Sequence, residues 1–326
     1  MKRTAVPSIL AAVVLLALGV IAEAQQPKKV PRIGCLYATS LSSTRIKAFR
    51  QGLRELGYVD GENIIIEWRS VEGEYDRLPR VAAELVRLKV DIIITGGAPA
   101  VRAAKEATVT IPIVMTQVGD PVGSGFVASL ARPGGNITGL STLAPELSGK
   151  RLELLKEVVP KLSRVAIFAT STNPDTAQAS KEIELAAAAL KVQLQHLDVL
   201  SPKNIEPAFR AATKGRAEAG LFLVAGPVAG TGTHVVELAL KSRLPVIYSG
   251  GGLVEAGGLM SYGVNQYDLD RRTATYVDKI LKGAKPADLP VEQPTQFEFI
   301  INLKAAKQIG LTIPPNVLAR ADRVIK

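Results

Sequence analysis

The sequence is poor in the side chains that most enzymes use for catalysis. Its 326 residues include one cysteine and two histidines, so no internal disulfide can form and no His/Cys metal-ligand spacing exists. No serine lies in a G-x-S-x-G pattern, and no Walker motif is present. Aromatic residues make up only 5%, and the basic residues behind the net charge of +10 are scattered, which argues against nucleic-acid binding. We therefore expect no catalytic residue, no metal and no cofactor.

The few reactive side chains have ordinary structural interpretations. Cys35 lies inside the apolar run RIGCLY and is predicted to be a buried core thiol. His196, within LQHLDV, fits a satisfied structural histidine better than a catalytic base. His234 lies near the opening of a helix in a glycine-rich loop, where contact with a ligand stays open as an alternative.

The first 24 residues have the three parts of a secretory signal peptide. Lys2 and Arg3 precede an apolar run from about Ile9 to Ile21, and a small-x-small cleavage signal, Ala22-Glu23-Ala24, follows. The alternative is a membrane anchor, but the run is shorter than the roughly 20 residues that span a bilayer. Later runs are shorter still. We expect a mature protein that starts near Gln25 and works in the periplasm, where nucleotide-driven chemistry is not supported.

Two sets of apolar, β-branched segments alternate with amphipathic helical segments. The first set is RIGCLY, NIIIEW, DIIITG, IPIVMT and NITGLS, and the second is RVAIFA, VQLQHLDV, AGLFLVAG, LPVIYS and GLMSYG. Apolar strands separated by helices indicate parallel sheets covered on both faces. Because the two sets share one strand, loop and helix rhythm, we predict an α/β fold of two similar doubly wound, Rossmann-like lobes.

Three stretches are candidate crossings between these lobes. They are the segment from Ser141 to Pro145, the glycine-rich SGGGLVEAGG before Leu259, and LPVEQPTQ from Leu289 to Gln296. Three crossings would form a hinge. The predicted N-terminal lobe therefore comprises residues 25–142 and 258–288, and the predicted C-terminal lobe comprises residues 143–257 and 289–326.

Ligands of open parallel sheets bind beyond the carboxyl ends of the strands, and the loops at these ends contain no lysine or arginine. Gly123, Gly125 and Ala128 match G-x-G-x-x-A, but Asp120-Pro121 intervenes after the strand and no acid follows at the required place. Dinucleotide binding is therefore disfavoured. Asp120 fits an N-cap with Pro121 at the first helical position.

Asn173 and Asp175 have two interpretations. They fit a capped turn, since Asn-Pro and Asp are ordinary turn formers, or their side chains face the other lobe across a ligand.

Four long segments resemble one protein family. FRQGLRELGYVDGENIIIEWR, YDRLPRVAAELVRLKVDIIITGG, IPIVM with GDPVGSGFVASLARPGGNITGLS, and FEFIINLKAAKQIGLTIPP are similar to substrate-binding proteins of ABC transporters of the tryptophan/tyrosine-type uptake group. The resemblance spans nearly the whole mature chain. It implies the type I periplasmic binding protein fold, two lobes that close on a small ligand, and delivery to a permease driven by a separate ATPase, without catalysis.

The resemblance also implies a set of ligand-contacting residues at the strand ends. In the first lobe and then the second, these are Ser40, Gly96, Gly97, Asp120 and Pro121, followed by Asn173, Asp175, Gly226, Pro227, Ser249 and Tyr262. Family members that resemble aromatic amino-acid binders carry a Thr-Asp-Asn stretch where this chain reads LFLVAGPVAGTG. An α-ammonium would lack that carboxylate here, so the family name does not identify the ligand.

The sequence favours an extracytoplasmic solute receptor for an importer. We expect a monomer that captures a small, carboxylate-bearing ligand, and the sequence leaves open whether that ligand is also an amino acid. The alternative is an exported sensing subunit that presents its ligand-closed form to a membrane receptor. An enzyme of unrecognised chemistry ranks third, and a repressor is disfavoured because no helix-turn-helix precedes the first strand.

Overall fold

The structure is a computed structural model that describes residues 29–38, 43–142, 146–172, 174–223 and 231–326. The side chains of Ser43, Pro174 and Asp175 lie outside this description. Among the described residues, no helix combines the length and apolar character that crossing a membrane requires.

The first lobe is built on a five-stranded parallel sheet with the order β2-β1-β3-β4-β5. Its strands are β1 (Arg32–Tyr37), β2 (Ile65–Ser70), β3 (Ile92–Gly96), β4 (Ile113–Val118) and β5 (Ile137–Ser141). The helices between them are α1 (Ser43–Glu55), α2 (Leu78–Arg87) and α3 (Ala98–Ala107), and a 3₁₀ turn, Tyr75–Arg77, precedes α2.

The second lobe is built on a seven-stranded sheet with the order β12-β11-β10-β9-β8-β6-β7. Its strands are β6 (Arg164–Ala169), β7 (Gln193–Asp198), β8 (Ala219–Phe222), β9 (Val246–Tyr248), β10 (Met260–Val264), β11 (Phe297–Asn302) and β12 (Arg323–Ile325). All neighbours pair in parallel except β10 and β11, which are antiparallel.

The remaining helices follow the same alternation. They are α4 (Leu147–Val158), α5 (Pro174–Leu190), α6 (Ile205–Lys214), α7 (Gly232–Lys241), α8 (Gly251–Glu255), α9 (Gln266–Leu281), α10 (Leu303–Gln308) and α11 (Pro315–Leu318), with 3₁₀ turns at Pro202–Asn204 and Pro286–Asp288. The prediction of two doubly wound α/β lobes is confirmed.

Each sheet is covered by apolar side chains on both faces, as its continuous hydrophobic strands require. On the first sheet, Ile93 and Leu36 pack against α2 and α3, whereas Ile33 and Ile94 pack against α1 and α9. Cys35 is fully buried in the second of these clusters, which confirms its prediction as a core thiol.

The chain returns to the first lobe later than its sequence predicts. The predicted first lobe includes residues from 258 onward, but β10 pairs with β9 and β11 of the second sheet. The glycine-rich stretch before it forms the short helix α8 and a turn, so it is not a crossing. The return occurs between Val264 and Gln266, where β10 ends and α9 begins.

The last crossing also lies a few residues beyond the predicted one at Leu289. Val291 belongs to the core of the first lobe, and Glu292 pairs with Leu140 of β5. The chain then passes to β11 beside the preceding crossing, since the Asn265 N–H donates to the Gln296 carbonyl at 3.2 Å. These two crossings therefore lie side by side.

Helix α9 is held in the first lobe by close packing on α1. A Cβ added at Gly52 of α1 would lie 2.2 Å from the Arg271 carbonyl oxygen and 2.9 Å from the Ala274 Cβ. Only glycine lets the two backbones approach this closely. The cost of a glycine inside a helix, about 0.5–1 kcal/mol, is thereby offset by the contact.

We predict that Gly52→Ala destabilises the protein by about 1–3 kcal/mol, because the added methyl group must push α9 away from α1. The measurement is urea unfolding followed by circular dichroism. Lys47→Ala, on the exposed side of the same helix, is the matched control and should change the unfolding free energy by less than about 0.5 kcal/mol. Equal stability of the Gly52→Ala and wild-type proteins would contradict the close contact.

Candidate functional site

A cavity of ≈ 380 Å³ joins the first lobe to the end of strand β6 in the second. Helix α3 and the segment that begins α2 line one side, and Thr172 lines the other; the full set is Tyr75, Leu78, Pro79, Ala98, Pro99, Arg102, Ala103, Glu106 and Thr172. Burial raises the pKa of Tyr75 to about 12, so its phenol stays protonated at neutral pH. The cavity thus combines apolar walls with a few polar groups, as ligand sites do.

The amino end of α3 opens onto this cavity without a side-chain cap. Its N-cap is Gly97, with a φ of 82° that glycine adopts at no steric cost, and within the described part of the chain it has no side-chain cap hydrogen bond. The Gly97 N–H donates to the Thr116 carbonyl at 3.0 Å, which fixes the turn. Pro99 has no N–H and the Val101 N–H donates to the Gly97 carbonyl at 3.1 Å. The positive potential of this helix end therefore comes from the N–H groups of Ala98 and Ala100, which are both buried residues.

A buried ion pair lies behind the carboxyl end of β1. Arg45 of α1 makes two hydrogen bonds of 2.9 Å to the two carboxylate oxygens of Asp270 in α9. Its guanidinium also lies 4.6 Å from the centre of the Tyr37 ring. Burial lowers the pKa of Arg45, but the Asp270 carboxylate outweighs burial and raises it overall. Arg45 is therefore a permanent cation that Asp270 neutralises.

Strand β4 carries an irregularity next to this pair. Met115 is opposite Gly139 of β5, but Val118 is opposite Ser141, so β4 has one extra residue. Gln117, within the irregular stretch, has a φ of 57°, which is rare for a non-glycine residue in a strand. Its side chain lies beside Gly96 and Tyr37, at the carboxyl edge of the sheet.

The glycine-rich loop after β4 is a capped turn. The Gly123 N–H donates to Asp120 Oδ1 at 2.8 Å, and a Cβ at Gly123 would lie 2.0 Å from Asp120 Oδ2. The residues after Pro121 form turns and not a helix. The prediction that Asp120 caps a helix is therefore wrong, although its side chain does cap the turn. The glycine at position 123 is explained by this contact without a phosphate ligand.

A second buried cation lies in the second lobe. Arg151 of α4 is 1% exposed, and its Nε donates to the Tyr262 carbonyl in β10 at 2.7 Å while Nη1 bonds Ser148 Oγ at 3.3 Å. Burial lowers the pKa of Arg151 to about 10, so it remains charged at neutral pH. Arg151 connects α4 to the strand that leads into the hinge.

The predicted site residues divide into three groups. Gly96, Gly97, Asp120 and Pro121 lie together at the carboxyl ends of β3 and β4. Ser249 follows β9 and is exposed, whereas Tyr262 is half-buried in β10 and stacks on Phe297 at 6.2 Å. Ser40, Asn173, Gly226 and Pro227 lie outside the described residues, as does the side chain of Asp175.

Neither histidine lines the cavity. His196 is exposed on the edge strand β7, so its prediction as a satisfied structural histidine is wrong: the edge position leaves one side of the strand open to solvent. His234 is exposed on α7, 4.0 Å from Glu237. Within the described ranges, no group of three His, Cys, Asp or Glu side chains could hold a metal ion.

Four polar residues near the strand ends were missed from the sequence: Arg45, Gln117, Arg151 and Gln266. Each lies on a helix or inside a strand and not in a strand-end loop. Although the strand-end loops contain no lysine or arginine, two arginines on helices, Arg45 and Arg151, therefore lie near the strand ends. No local motif marks these residues, because their partners are far away in the chain.

Comparisons with known proteins agree on one family. The family model described as ABC transporter substrate binding protein matches residues 38–325. A tyrosine-binding protein of Clostridioides difficile (strain R20291) is 26% identical over 265 residues, which cover 81% of this chain and 76% of that protein.

Two solved structures are similar to this chain over about nine-tenths of its length. A protein from Streptococcus pneumoniae in complex with L-Trp is 29% identical, with a TM-score of 0.81 and coverage of 90% of this chain and 100% of the other. A ligand-free, open substrate-binding protein with adhesive properties from Clostridium difficile is 25% identical, with a TM-score of 0.67 and coverage of 91% and 99%.

We predict that Arg45→Met destabilises the protein by about 3–5 kcal/mol, because it leaves the Asp270 carboxylate buried without its cation. The double variant Arg45→Met/Asp270→Leu should recover most of this loss, as apolar replacements of buried pairs do. Urea unfolding measures both.

The exposed pair of Arg50 and Asp60, at 2.7 Å, supplies the control. Arg50→Met should cost no more than about 1 kcal/mol. Equal losses in the free energy of unfolding for Arg45→Met and Arg50→Met would contradict the prediction that burial makes the first pair more costly to break.

Proposed function

The chain belongs to the family of ABC transporter substrate-binding proteins, and we propose that it captures a small carboxylate-bearing ligand between its lobes for delivery to an importer. The family consists of solute-binding receptors and not of enzymes. The observation that carries the ligand class is the uncapped amino end of α3, which opens onto a cavity that Thr172 of the other lobe completes.

The electrostatics of the first lobe favour a singly charged acid. Arg45 is neutralised by Asp270, and the two charged residues that line the cavity, Arg102 and Glu106, have opposite signs. The remaining positive potential comes from backbone N–H groups. A helix amino end contributes about 0.3–1 kcal/mol to anion binding when exposed and up to about 2 kcal/mol when partly buried. That is enough for one carboxylate but not for the several charges of a nucleotide.

The relatives support an amino-acid-like ligand. One of them was solved with L-Trp, and another is a tyrosine-binding protein. We propose closure about the three crossings, with Ser40, Gly96, Gly97, Asn173, Gly226, Pro227, Ser249 and Tyr262 facing the ligand.

The setting of this function is that of the family. Substrate-binding proteins of ABC importers act outside the cytoplasm, and we propose that this chain is exported by a cleaved signal peptide and works as a monomer in the periplasm. Its partners would be a membrane permease and the ATPase that drives it. No nucleic acid takes part.

We predict that the ligand-binding preference follows the carboxylate. Calorimetry should show that L-tyrosine binds at least about tenfold more tightly than tyramine, which has the same ring and amine but no carboxylate, because the acid alone gains charge-assisted bonds to N–H groups. Thermal-shift screening of amino acids, benzoate, sugars and nucleotides extends the test. A best ligand without a carboxylate or comparable acceptor would overturn the ligand class.

If the ligand is an α-amino acid, Asp120 is a candidate partner for its ammonium. We predict that Asp120→Asn weakens amino-acid binding by about 1–3 kcal/mol, measured by calorimetry, since it removes the charge. The amide oxygen can still accept from the Gly123 N–H, so the turn is retained. Benzoate, which has no amine, is the control ligand and should bind the variant as it binds wild type. Unchanged amino-acid affinity would assign the ammonium to another residue.

A further inference from the structure

Two glutamine side chains, distant in sequence, meet at the carboxyl edge of the first sheet. Gln117 Nε2 donates to Gln266 Oε1 at 2.7 Å, although the residues are 149 positions apart. The pair also adjoins the predicted ligand contact Gly96, because a Cβ built there would lie 2.9 Å from Gln117 Oε1. The two amides thus lie among the strand ends where ligands of parallel sheets bind.

The backbone of Gln117 is strained in a way that secondary structure does not explain. Six non-glycine residues of the described chain have a positive φ, and four of them, Lys89, Lys191, Arg216 and Arg243, end helices, where this conformation is usual. Gln117 instead lies within β4 at its extra residue. Such bulges redirect side chains and are common beside binding sites. Here the bulge accompanies a glutamine aimed at α9.

The pair leaves one hydrogen-bond donor unused. Gln266 Nε2 is buried and has no hydrogen-bond partner among the described residues. A buried donor without an acceptor costs stability in the ligand-free protein. Gln266 is also the first residue of α9, directly after the crossing from β10, so its amide lies where the two lobes are connected.

We infer that Gln266 Nε2 donates a hydrogen bond to an acceptor oxygen of the ligand, and that Gln117 is a positioning residue that holds the Gln266 amide by its oxygen. The inference rests on the proposed function, since it concerns the same ligand. It adds a neutral, specificity-determining donor that recognises oxygen acceptors, such as a carboxylate or carbonyl, and does not recognise ammonium groups.

The main test replaces only the unused donor. In Gln266→Glu, one carboxylate oxygen can still accept from Gln117 Nε2, but the group that faces the ligand becomes an oxygen. Calorimetry with L-tyrosine, L-tryptophan and benzoate should show the dissociation constant of the best-bound acid rising at least about 100-fold, because an acceptor now faces an acceptor. Gln308→Glu, on the exposed side of α10, is the matched charge control and should leave the constant within twofold.

A second pair of variants tests the positioning role of Gln117. Gln117→Gly suits the positive φ, which offsets the loss of the hydrogen bond to Gln266, so the ligand-free protein should unfold at a urea concentration close to that of wild type while the acid binds about tenfold more weakly. Lys89→Gly relieves the same backbone conformation after α2, at the amino end of β3, and should leave binding unchanged. In the Gln266→Glu background, Gln117→Gly should weaken binding less than twofold further, because its effect acts through Gln266.

The outcomes separate this inference from the proposed function. Failure of all three acids to bind the wild-type protein would overturn the proposed function and this inference with it. Binding to wild type and to Gln266→Glu within twofold would overturn the inference alone. Should Gln266→Glu fail to fold by circular dichroism, Gln266→Met takes its place, with an expected loss of about 10- to 100-fold; a loss below twofold there would equally overturn the inference.

Discussion

The packing of helix α9 on helix α1 fixes one crossing between the lobes to the first lobe, because α9 begins two residues after a strand of the second sheet ends. Gly52 allows the backbones to approach within the space of a methyl group, and the Asn265 side chain caps α9 by accepting from the Asp268 N–H at 3.0 Å. The start of α9 is therefore held at the crossing itself. Movement of the second sheet relative to the first therefore involves Asn265 and Gln266, together with the other two crossings.

Each lobe holds a buried cation close to this crossing. In the first lobe, Arg45 is held by Asp270 of α9, so α1 and α9 share an ion pair as well as an apolar contact. In the second, Arg151 holds the Tyr262 carbonyl of β10. Because burying a charge is costly unless it is well bonded, both cations require their geometry to persist. Both therefore brace the elements on either side of the crossing.

Three features that reduce the stability of the first lobe lie at its carboxyl edge. Gln117 has a strained backbone, Gln266 has an unused donor, and the amino end of α3 has no side-chain cap. Each costs free energy in the ligand-free protein, and a ligand with oxygen acceptors would satisfy the last two. Features that reduce stability at one edge of an otherwise well-packed lobe are typical of binding sites.

The main architecture follows from local patterns. The ten apolar segments predict two doubly wound lobes because a strand covered on both faces must be apolar throughout, and all ten contribute strands. The same patterns predicted that Cys35 is buried. They also predicted that the G-x-G-x-x-A match does not bind a dinucleotide, and the close contact between Asp120 and Gly123 gives Gly123 a structural role. Local patterns did not place the return to the first lobe, since a glycine-rich stretch forms a turn inside a lobe as readily as a crossing between lobes.

By itself, therefore, the sequence determined the class of fold, the family and the strand ends that form the candidate site. Only the tertiary structure decided which side chains meet there: Arg45 reaches Asp270 across 225 positions, and Gln117 reaches Gln266 across 149. The physical reason is that hydrophobic periodicity acts over a few residues and specifies helices and strands, whereas a polar pair depends on the packing of elements that are distant in the chain. The extra residue in β4 turns Gln117 toward α9, and no periodicity in the sequence encodes that turn.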